Sequence, residues 1–392
     1  MSLLFISSVV PDRAEYHNPA FTRSSNNVLQ GIAESLWSKG CREMLSYIPT
    51  PSFPRGRFWI GSRTEVFDSG LKVFYAPTFN VKIIKNIFEG IYTFFYVLKW
   101  TRKHRGEDNK VLVYNIYDPP ISFLYKACQI CNAKLYAILY DLGIPPKRLG
   151  LSWTTMLAYK LSESSARKYI RKLDGRIVIN ESIVSYYSPD KDFLLIDGGI
   201  NKSVISNLFS LKETEGDTCT FVCAGLLWDQ NGTKLILEAM KLLSNNNIRV
   251  VFAGRGIDVP LIEDAASEDD RISYLGMLTM EELFRIYEES DVLMNLRIEE
   301  EVDFHFPSKL LEILTTGKSV ISTPIAHAKR DYGKFLYVLD EITPMALAKL
   351  MQRIANTPKN QRLAKGIAQR KFMIENRNWN VRTDEILKYI NK

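Results

Sequence analysis

The segment FPSKLLEILTTGKSVISTP, which begins at Phe306, contains residue types that bind a phosphate and a sugar hydroxyl. Pro307 fits the first turn of a helix, where its missing N–H costs nothing, and Ser308 or the residues just before it can cap that turn. The helix start would then present backbone amides, a partial positive charge and the ammonium of Lys309, which together favour a phosphate. Glu312 follows one turn later, at a distance that suits a ribose beside that phosphate.

The same segment also carries signals for its own structure. Gly317 is predicted to end the helix, and Ser319 to Thr323 reads as a short buried strand. An ordinary helix and strand of an α/β domain is the alternative interpretation of these residues.

The alternation of strands and helices predicts two Rossmann-like units with parallel sheets covered by helices. At 392 residues the chain is too long for one ordinary core, and the pattern restarts after a junction near residues 201–217. We therefore predict domains at 1–205 and 206–370. In such sheets ligands bind at the carboxyl ends of the strands, so the active cleft is expected where the two units face each other.

The individual elements follow from apolar runs and helical periodicity. In the first half, predicted strands are 3–7, 44–48, 73–75, 111–114, 135–140, 176–179 and 193–196, and predicted helices are 26–39, 83–103, 122–132 and 154–173. In the second half, predicted strands are 219–223, 249–253, 272–275, 292–295, 320–322 and 337–339.

Composition indicates a cytoplasmic globular protein. Hydrophobic residues make up 46% and charged residues 24%, and the apolar stretch Met1 to Val10 lacks the basic start and cleavage site of a signal peptide. Five cysteines without a framework spacing favour reduced thiols. Cys128 and Cys131 have the spacing of a metal or redox pair, but they lie in an apolar helical run with no second pair, which favours packing.

Positive charge is concentrated in the first half of the chain. Residues 1–205 hold 27 Lys and Arg against 17 Asp and Glu, whereas the whole chain carries a net charge of +7. Anionic lipid or acceptor phosphates are candidate partners, and solvated helix faces are the alternative. Nucleic acid is not expected, because no recognised binding motif accompanies the charge.

Residues 79–105 mix aromatic and aliphatic side chains with lysines. The run is too interrupted for a spanning helix, although its apolar part could lie in a membrane interface with cations at both ends. A helix packed on the first sheet is the alternative, and both interpretations can hold for different faces of the helix.

Four segments of the second half, taken in order, resemble the donor-binding domain of retaining GT-B glycosyltransferases of family 4, which build bacterial polysaccharides and glycolipids. The segments are FVCAGLLWDQNGTKLILEAMKLL, VVFAGRG, ISYLGMLTMEELFRIYEESDVLMNL and FPSKLLEILTTGKSVIST. The tail 371–392, with Trp379, is similar to the family's terminal helix, which returns to the first domain.

The resemblance implies a nucleotide-sugar co-substrate, no separate cofactor and no metal. Glu312 matches the glutamate that holds the nucleotide ribose, whereas Phe304 stands where a second glutamate usually contacts the transferred sugar. Asp303, Glu301 or Glu300 could substitute for that lost carboxylate, and our candidate catalytic residues are Asp303 and, in the first domain, Asp141.

Other departures and matches concern the diphosphate and the base. Leu226 and Asn231 replace the family's Arg and Lys, while glycines still allow close backbone approach to phosphates. UDP is favoured over GDP, because uracil suits a small pocket read by backbone after the strand ISYL. The expected donor-binding residues, beyond the helix start and Glu312, are Gly225, Gly232, Arg255, Met277, Leu278 and Arg297.

In the first domain, Asp141 ends a strand where the family often places a His-Asp pair near the acceptor, and Tyr140 stands in the place of the histidine. Asp118 and either Asn26 or Asn27 are further candidates for acceptor contact, with turn capping as the alternative role. The resemblance thus implies a retaining, metal-independent transferase acting on a glycan or lipid-linked acceptor. No Asp-x-Asp pair occurs where a divalent metal would be expected.

Two other classes of protein remain open. A nucleotide-sugar epimerase or hydrolase would share the donor pocket, and His305 beside the donor helix keeps that class in play. A noncatalytic nucleotide-sugar-binding partner of a transferase would explain the lost glutamate, arginine and lysine.

Overall fold

A computed structural model describes residues 2–82, 84–117, 119–140, 153–244, 247–298 and 306–392. The chain forms two compact units, 1–201 with 379–392 and 202–378. Each unit has a largely parallel sheet with helices between most successive strands, so the predicted α/β class is confirmed.

The first unit contains an eight-stranded sheet in the order β10-β9-β8-β7-β1-β2-β5-β4. Its strands are β1 (Ser2–Ser7), β2 (Glu43–Ser46), β4 (Arg63–Val66), β5 (Lys72–Tyr75), β7 (Asn109–Tyr114), β8 (Lys134–Leu139), β9 (Gly175–Val178) and β10 (Leu194–Leu195). Its longer helices are α1 (Arg23–Ser38), α2 (Ile84–Lys103), α3 (Ile121–Cys131), α4 (Trp153–Ile170) and α5 (Glu181–Tyr187). Central strands β1 and β7 are buried along their whole length, which explains their near-continuous apolar sequence.

Three short strands between β2 and α2 were not predicted. β4 pairs antiparallel with β5 at the edge of the sheet, and β3 (Trp59–Ile60) pairs antiparallel with β6 (Thr78–Phe79) in a separate ribbon. β4 is largely exposed, so it lacks the alternation of buried and exposed residues on which strand prediction depends. The alternation of strand and helix therefore does not hold throughout this unit.

The second unit contains a six-stranded parallel sheet in the order β13-β12-β11-β14-β15-β16. Its strands are β11 (Cys219–Leu226), β12 (Ile248–Arg255), β13 (Ile272–Tyr274), β14 (Val292–Asn295), β15 (Ser319–Ser322) and β16 (Leu336–Val338). Its helices are α6 (Lys202–Ser206), α7 (Thr233–Leu242), α8 (Val259–Glu268), α9 (Met280–Glu289), α10 (Ser308–Thr315), α11 (Ala328–Tyr332), α12 (Pro344–Ala355) and α13 (Lys359–Asn376). A cluster of buried side chains from β11, β12, α7 and α12 forms its core.

The last helix, α14 (Trp379–Ile390), belongs to the first unit. The Trp379 ring packs where a Cβ on Gly31 or Gly199 would stand, and the Ser35 hydroxyl donates to the Trp379 carbonyl oxygen at 3.1 Å. The ion pair between Arg382 and Asp197 is almost fully buried. These contacts explain why the tail groups with residues far away in the sequence.

The five cysteines are free. Burial raises the pKa of the Cys128 thiol, and Cys131 donates to the Ala127 carbonyl oxygen of the same helix at 2.8 Å. Both arrangements fit a packing role within α3.

Candidate donor-binding site

Two long strands of the second unit end side by side in glycine. β11 and β12 are paired from Cys219 with Ile248 to Leu226 with Arg255, which brings Gly225 opposite Gly254. Both glycines have positive φ, 116° and 132°. A Cβ on Gly254 would lie 2.0 Å from the Gly225 carbonyl oxygen, so this close approach of the two backbones requires glycine.

A pocket of about 300 Å³ lies at these strand ends, and we call it the strand-end pocket. The loop after β13 joins it, because the Gly254 amide donates to the Gly276 carbonyl oxygen at 2.7 Å. The lining residues are Ala224, Gly225, Leu226, Ala253, Gly254, Arg255, Met277, Leu278 and Leu283. Four residues predicted to bind the donor therefore share one pocket: Gly225, Arg255, Met277 and Leu278.

We expect Gly254→Ala to lower the free energy of unfolding by about 3 kcal/mol, since it adds a backbone clash to an unfavourable φ. Gly276→Ala is the matched control. Its φ of 70° is also left-handed, but a Cβ there meets nothing within 4 Å, so the cost should be about 1 kcal/mol. Urea unfolding measures both, and equal losses would show that the close approach is unimportant.

Helix α10 begins one residue later than the sequence suggests. Pro307 is the N-cap, with extended backbone angles of −71° and 94°, and Ser308 is the first helical residue. The expectation that Pro307 lies in the first turn is wrong, because its ψ is extended; its carbonyl oxygen accepts the Leu310 amide at 2.8 Å. Pro307 provides no side-chain hydrogen bond to the helix start, which leaves room for a ligand to accept from those amides.

Lys309 connects α10 to the strand-end pocket. Its ammonium donates to the Ala224 carbonyl oxygen, and Nζ lies 3.4 Å from the position that a Cβ on Gly225 would occupy. Burial lowers the pKa of Lys309, while Cys223 and Glu312 oppose that shift. The Lys309 side chain is therefore held against the pocket wall, and Glu312 favours its charged form.

Glu312 lies one turn after Lys309, where side chains at i and i+3 share a face of the helix. Burial raises the pKa of its carboxyl group, and the attraction of Lys309 opposes the rise. The two groups lie close enough to interact electrostatically, and burial disfavours the charged form of each.

Residues 218–357 match the model of the family described as Glycosyl transferases group 1. A glycosyltransferase from Rickettsia africae aligns with a TM-score of 0.67 at 14% identity, over 99% of this chain and 98% of that one. Sucrose-phosphate synthase from Thermosynechococcus elongatus gives a TM-score of 0.63 at 14% identity, over 100% and 98%. Anabaena HepE in complex with UDP gives 0.63 at 11% identity, over 100% of both chains.

The fold is that of the GT-B glycosyltransferases. The resemblance found in the sequence is thus confirmed for the fold, whereas placement within family 4 stays a prediction. No curated protein matches the chain by sequence.

Apart from residues of α10 and its N-cap, the predicted donor residues outside the strand-end pocket are Gly232 and Arg297. Gly232 follows a 3₁₀ turn and begins α7, and a Cβ there would lie 2.8 Å from the Leu296 Cβ. Arg297 follows β14, and its amide donates to the Thr323 hydroxyl at 3.0 Å. Both are placed by packing around the pocket, and their contact with a donor stays a prediction.

Several predicted residues lie outside the described part of the chain, namely Asp118, Asp141 and Asp303, together with the alternatives Glu300, Glu301, Phe304 and His305. The side chain of Ser308 is also not described, although its backbone is helical.

The predicted acceptor residues of the first unit have structural partners. The Asn26 side chain accepts from the Val10 amide at 3.0 Å and donates to the Val10 carbonyl oxygen at 2.9 Å. The Asn27 carbonyl oxygen accepts from the Asn201 side chain at 3.1 Å. Tyr140 is buried, and its ring meets that of Tyr114 edge-on with centroids 6.0 Å apart. Their contact with an acceptor stays a prediction.

Three residues important to the geometry were missed by sequence reasoning. Gly254 lies in the segment VVFAGRG, but it is not among the residues predicted to bind the donor. The Ala224 carbonyl oxygen that receives Lys309 has no sequence signal, because the contact joins distant segments. Glu89 is fully buried on the apolar helix α2, and its sequence signal is a single acidic residue in an apolar run.

Proposed function

We propose that the protein is a glycosyltransferase that moves a hexosyl group from a nucleotide-sugar donor to a hydroxyl acceptor. The observation that carries this proposal is the ammonium of Lys309 against the wall of the strand-end pocket, at the start of α10. A diphosphate leaving group needs such fixed positive charge in the transition state. The same fold holds UDP in Anabaena HepE, which supports a UDP-sugar over a GDP-sugar.

In the proposed reaction the bond from the anomeric carbon to the diphosphate oxygen breaks, and the acceptor oxygen bonds to that carbon. The acceptor proton passes to the leaving phosphate. Attack on the face from which the diphosphate departs retains the anomeric configuration, in agreement with the family 4 resemblance. Helix amides and Lys309 would stabilise the diphosphate without a divalent cation, and the products would serve polysaccharide or glycoconjugate synthesis in the cytoplasm.

A noncatalytic nucleotide-sugar-binding protein is the second candidate. Asn231 stands where a diphosphate-binding lysine is usual, and its side-chain amide donates to the Leu226 carbonyl oxygen at 2.8 Å. A neutral hydrogen bond therefore holds the loop after β11. Fewer cations remain to stabilise the diphosphate during catalysis.

We expect the full-length chain to transfer sugar from at least one UDP-sugar to a lipid-linked acceptor extract, with and without EDTA. A panel of UDP- and GDP-sugars, each incubated with and without the extract, measures this. Acceptor-dependent product supports the proposal, and loss of product in EDTA contradicts metal independence. Epimerised or free sugar without acceptor would indicate an epimerase or hydrolase, and donor binding without turnover would indicate the noncatalytic class.

A further inference from the structure

Helix α2 lines two chemically different cavities of the first unit. A polar cavity of about 220 Å³ lies at the carboxyl ends of β1 and β2, and α2 contributes Lys85 and Glu89 to it. The Glu89 carboxylate is fully buried and accepts from the Thr78 hydroxyl at 3.2 Å. The predicted acceptor residue Asn26 lines the same cavity. Polar groups at strand ends suit a hydroxylated head group.

The other cavity is a broad apolar groove of about 710 Å³ further along α2. Phe88, next to Glu89 in sequence, lines this groove, and Lys99 and Lys103 lie at its border. Further aromatic lining comes from Phe74, Tyr92, Phe95, Tyr96 and Trp100. A ligand with a polar head and an apolar chain could fill both cavities, whereas a free sugar could fill only the polar cavity.

An exposed apolar surface continues from the groove, and we call it the aromatic face. On α2 its residues recur at helical spacing, with Phe95 62% exposed, and Trp59 is 50% exposed on the neighbouring ribbon. The rings form a continuous surface, since Trp59 meets Phe88 at a centroid distance of 5.8 Å. The members are Phe53, Phe58, Trp59, Ile84, Ile87, Ile91 and Phe95. Surfaces of this kind mark an interaction site.

Positive charge borders the aromatic face. Arg55 and Arg57 lie just before β3, among the face residues Phe53, Phe58 and Trp59, and α2 ends in Arg102 and Lys103. Of the acids on the neighbouring elements, Glu43 pairs with Lys103 at 2.7 Å and Glu89 is buried. A second copy of the chain would bring these cations together in a symmetric contact, which is unfavourable. Aromatic and aliphatic residues with a basic border match an anionic bilayer.

We propose that the aromatic face seats the first unit on an anionic bilayer and that the acceptor is a membrane amphiphile. Its apolar chain lies in the groove beside α2, and its hydroxyl-bearing head enters the polar cavity. The acceptor part rests on the proposed transferase function, whereas bilayer binding does not. None of the described helices has the length and apolar character that a membrane crossing requires.

Vesicle sedimentation of the full-length chain tests the bilayer part. We expect binding to vesicles of phosphatidylcholine with phosphatidylglycerol, weaker binding at high salt, and at least tenfold weaker binding of the variant Ile91→Asp, Phe95→Asp. Ile130→Asp and Ile257→Asp are matched controls, because they replace exposed isoleucines outside the aromatic face, 68% and 77% exposed. Thermal unfolding verifies that all variants fold.

Unchanged vesicle binding by the double variant would overturn the proposal, as would equal loss in the controls. Self-association of the wild type that the double variant abolishes, without vesicle binding, would assign the face to a second copy instead. Donor binding separates this result from the proposed function, since the double variant should bind UDP as the wild type does.

A comparison of acceptors tests the amphiphile. We expect the lipid-linked acceptor to have at least tenfold higher kcat/KM than the same head group released from its chain. The double variant should lose that preference while it retains activity on the released head group. Equal use of both acceptors by the wild type would overturn the amphiphile assignment and leave the transferase proposal standing.

Discussion

Glu312→Gln is expected to lower kcat/KM for the nucleotide-sugar donor about 100-fold. A carboxylate that accepts hydrogen bonds from two ribose hydroxyls contributes about 3 kcal/mol, and the neutral amide keeps only part of it. The partly desolvated position of Glu312 strengthens this effect, because burial raises the pKa of the carboxyl group and a bound hydroxyl pair would satisfy its charge. Initial rates at varied donor concentration measure the loss.

Glu375→Gln is the matched control for this prediction. Glu375 lies in the same unit, on α13, with an exposed side chain and only a 4.0 Å ion pair to Lys371. Its replacement should leave kcat/KM unchanged. If Glu312→Gln retained full donor affinity, or if the control lost as much, the ribose role of Glu312 would be wrong.

The sequence predicts the donor unit better than the site inside it, for a physical reason. Gly225, Gly254 and Gly317 each occupy left-handed backbone at a strand or helix end, a need that local sequence displays openly. The strands between them are short, buried and apolar, so their positions follow from periodicity. Nothing local indicates that the Lys309 ammonium reaches the carbonyl oxygen of Ala224, 85 residues earlier.

In the first unit, the sequence predicts the character of one helix but not the cavities beside it. The mixture of aromatic residues and lysines in α2 predicts an interfacial helix, but it does not predict the groove and the polar cavity that the helix lines. They depend on residues distant in the sequence, since Glu43 and Phe74 line the groove and Asn26 and Tyr47 line the polar cavity. Asn26 illustrates the same limit, since its polar side chain is used to hold the Val10 backbone.

Affinity for UDP is expected to depend on pH through Lys309. Burial lowers the pKa of this lysine in the free protein, and a bound diphosphate stabilises its charged form. Affinity should be full below the free-protein pKa and should fall by about tenfold per pH unit above it. Because the pKa is lowered, the fall should begin at a less alkaline pH than for an exposed lysine. Calorimetric titration with UDP across alkaline pH measures the profile.

Three substitutions test the role of the Lys309 charge. Lys309→Met should bind UDP about 100-fold more weakly, from the loss of a charge-assisted hydrogen bond, and should lose the part of the pH dependence that Lys309 causes. Lys371→Met removes an exposed lysine of the same unit and should reproduce the wild-type profile. Glu312→Gln should shift the wild-type fall to lower pH, because Glu312 helps to keep Lys309 charged. A Lys309→Met protein with wild-type affinity and pH profile would place the diphosphate elsewhere, since no other proposed contact titrates in this way.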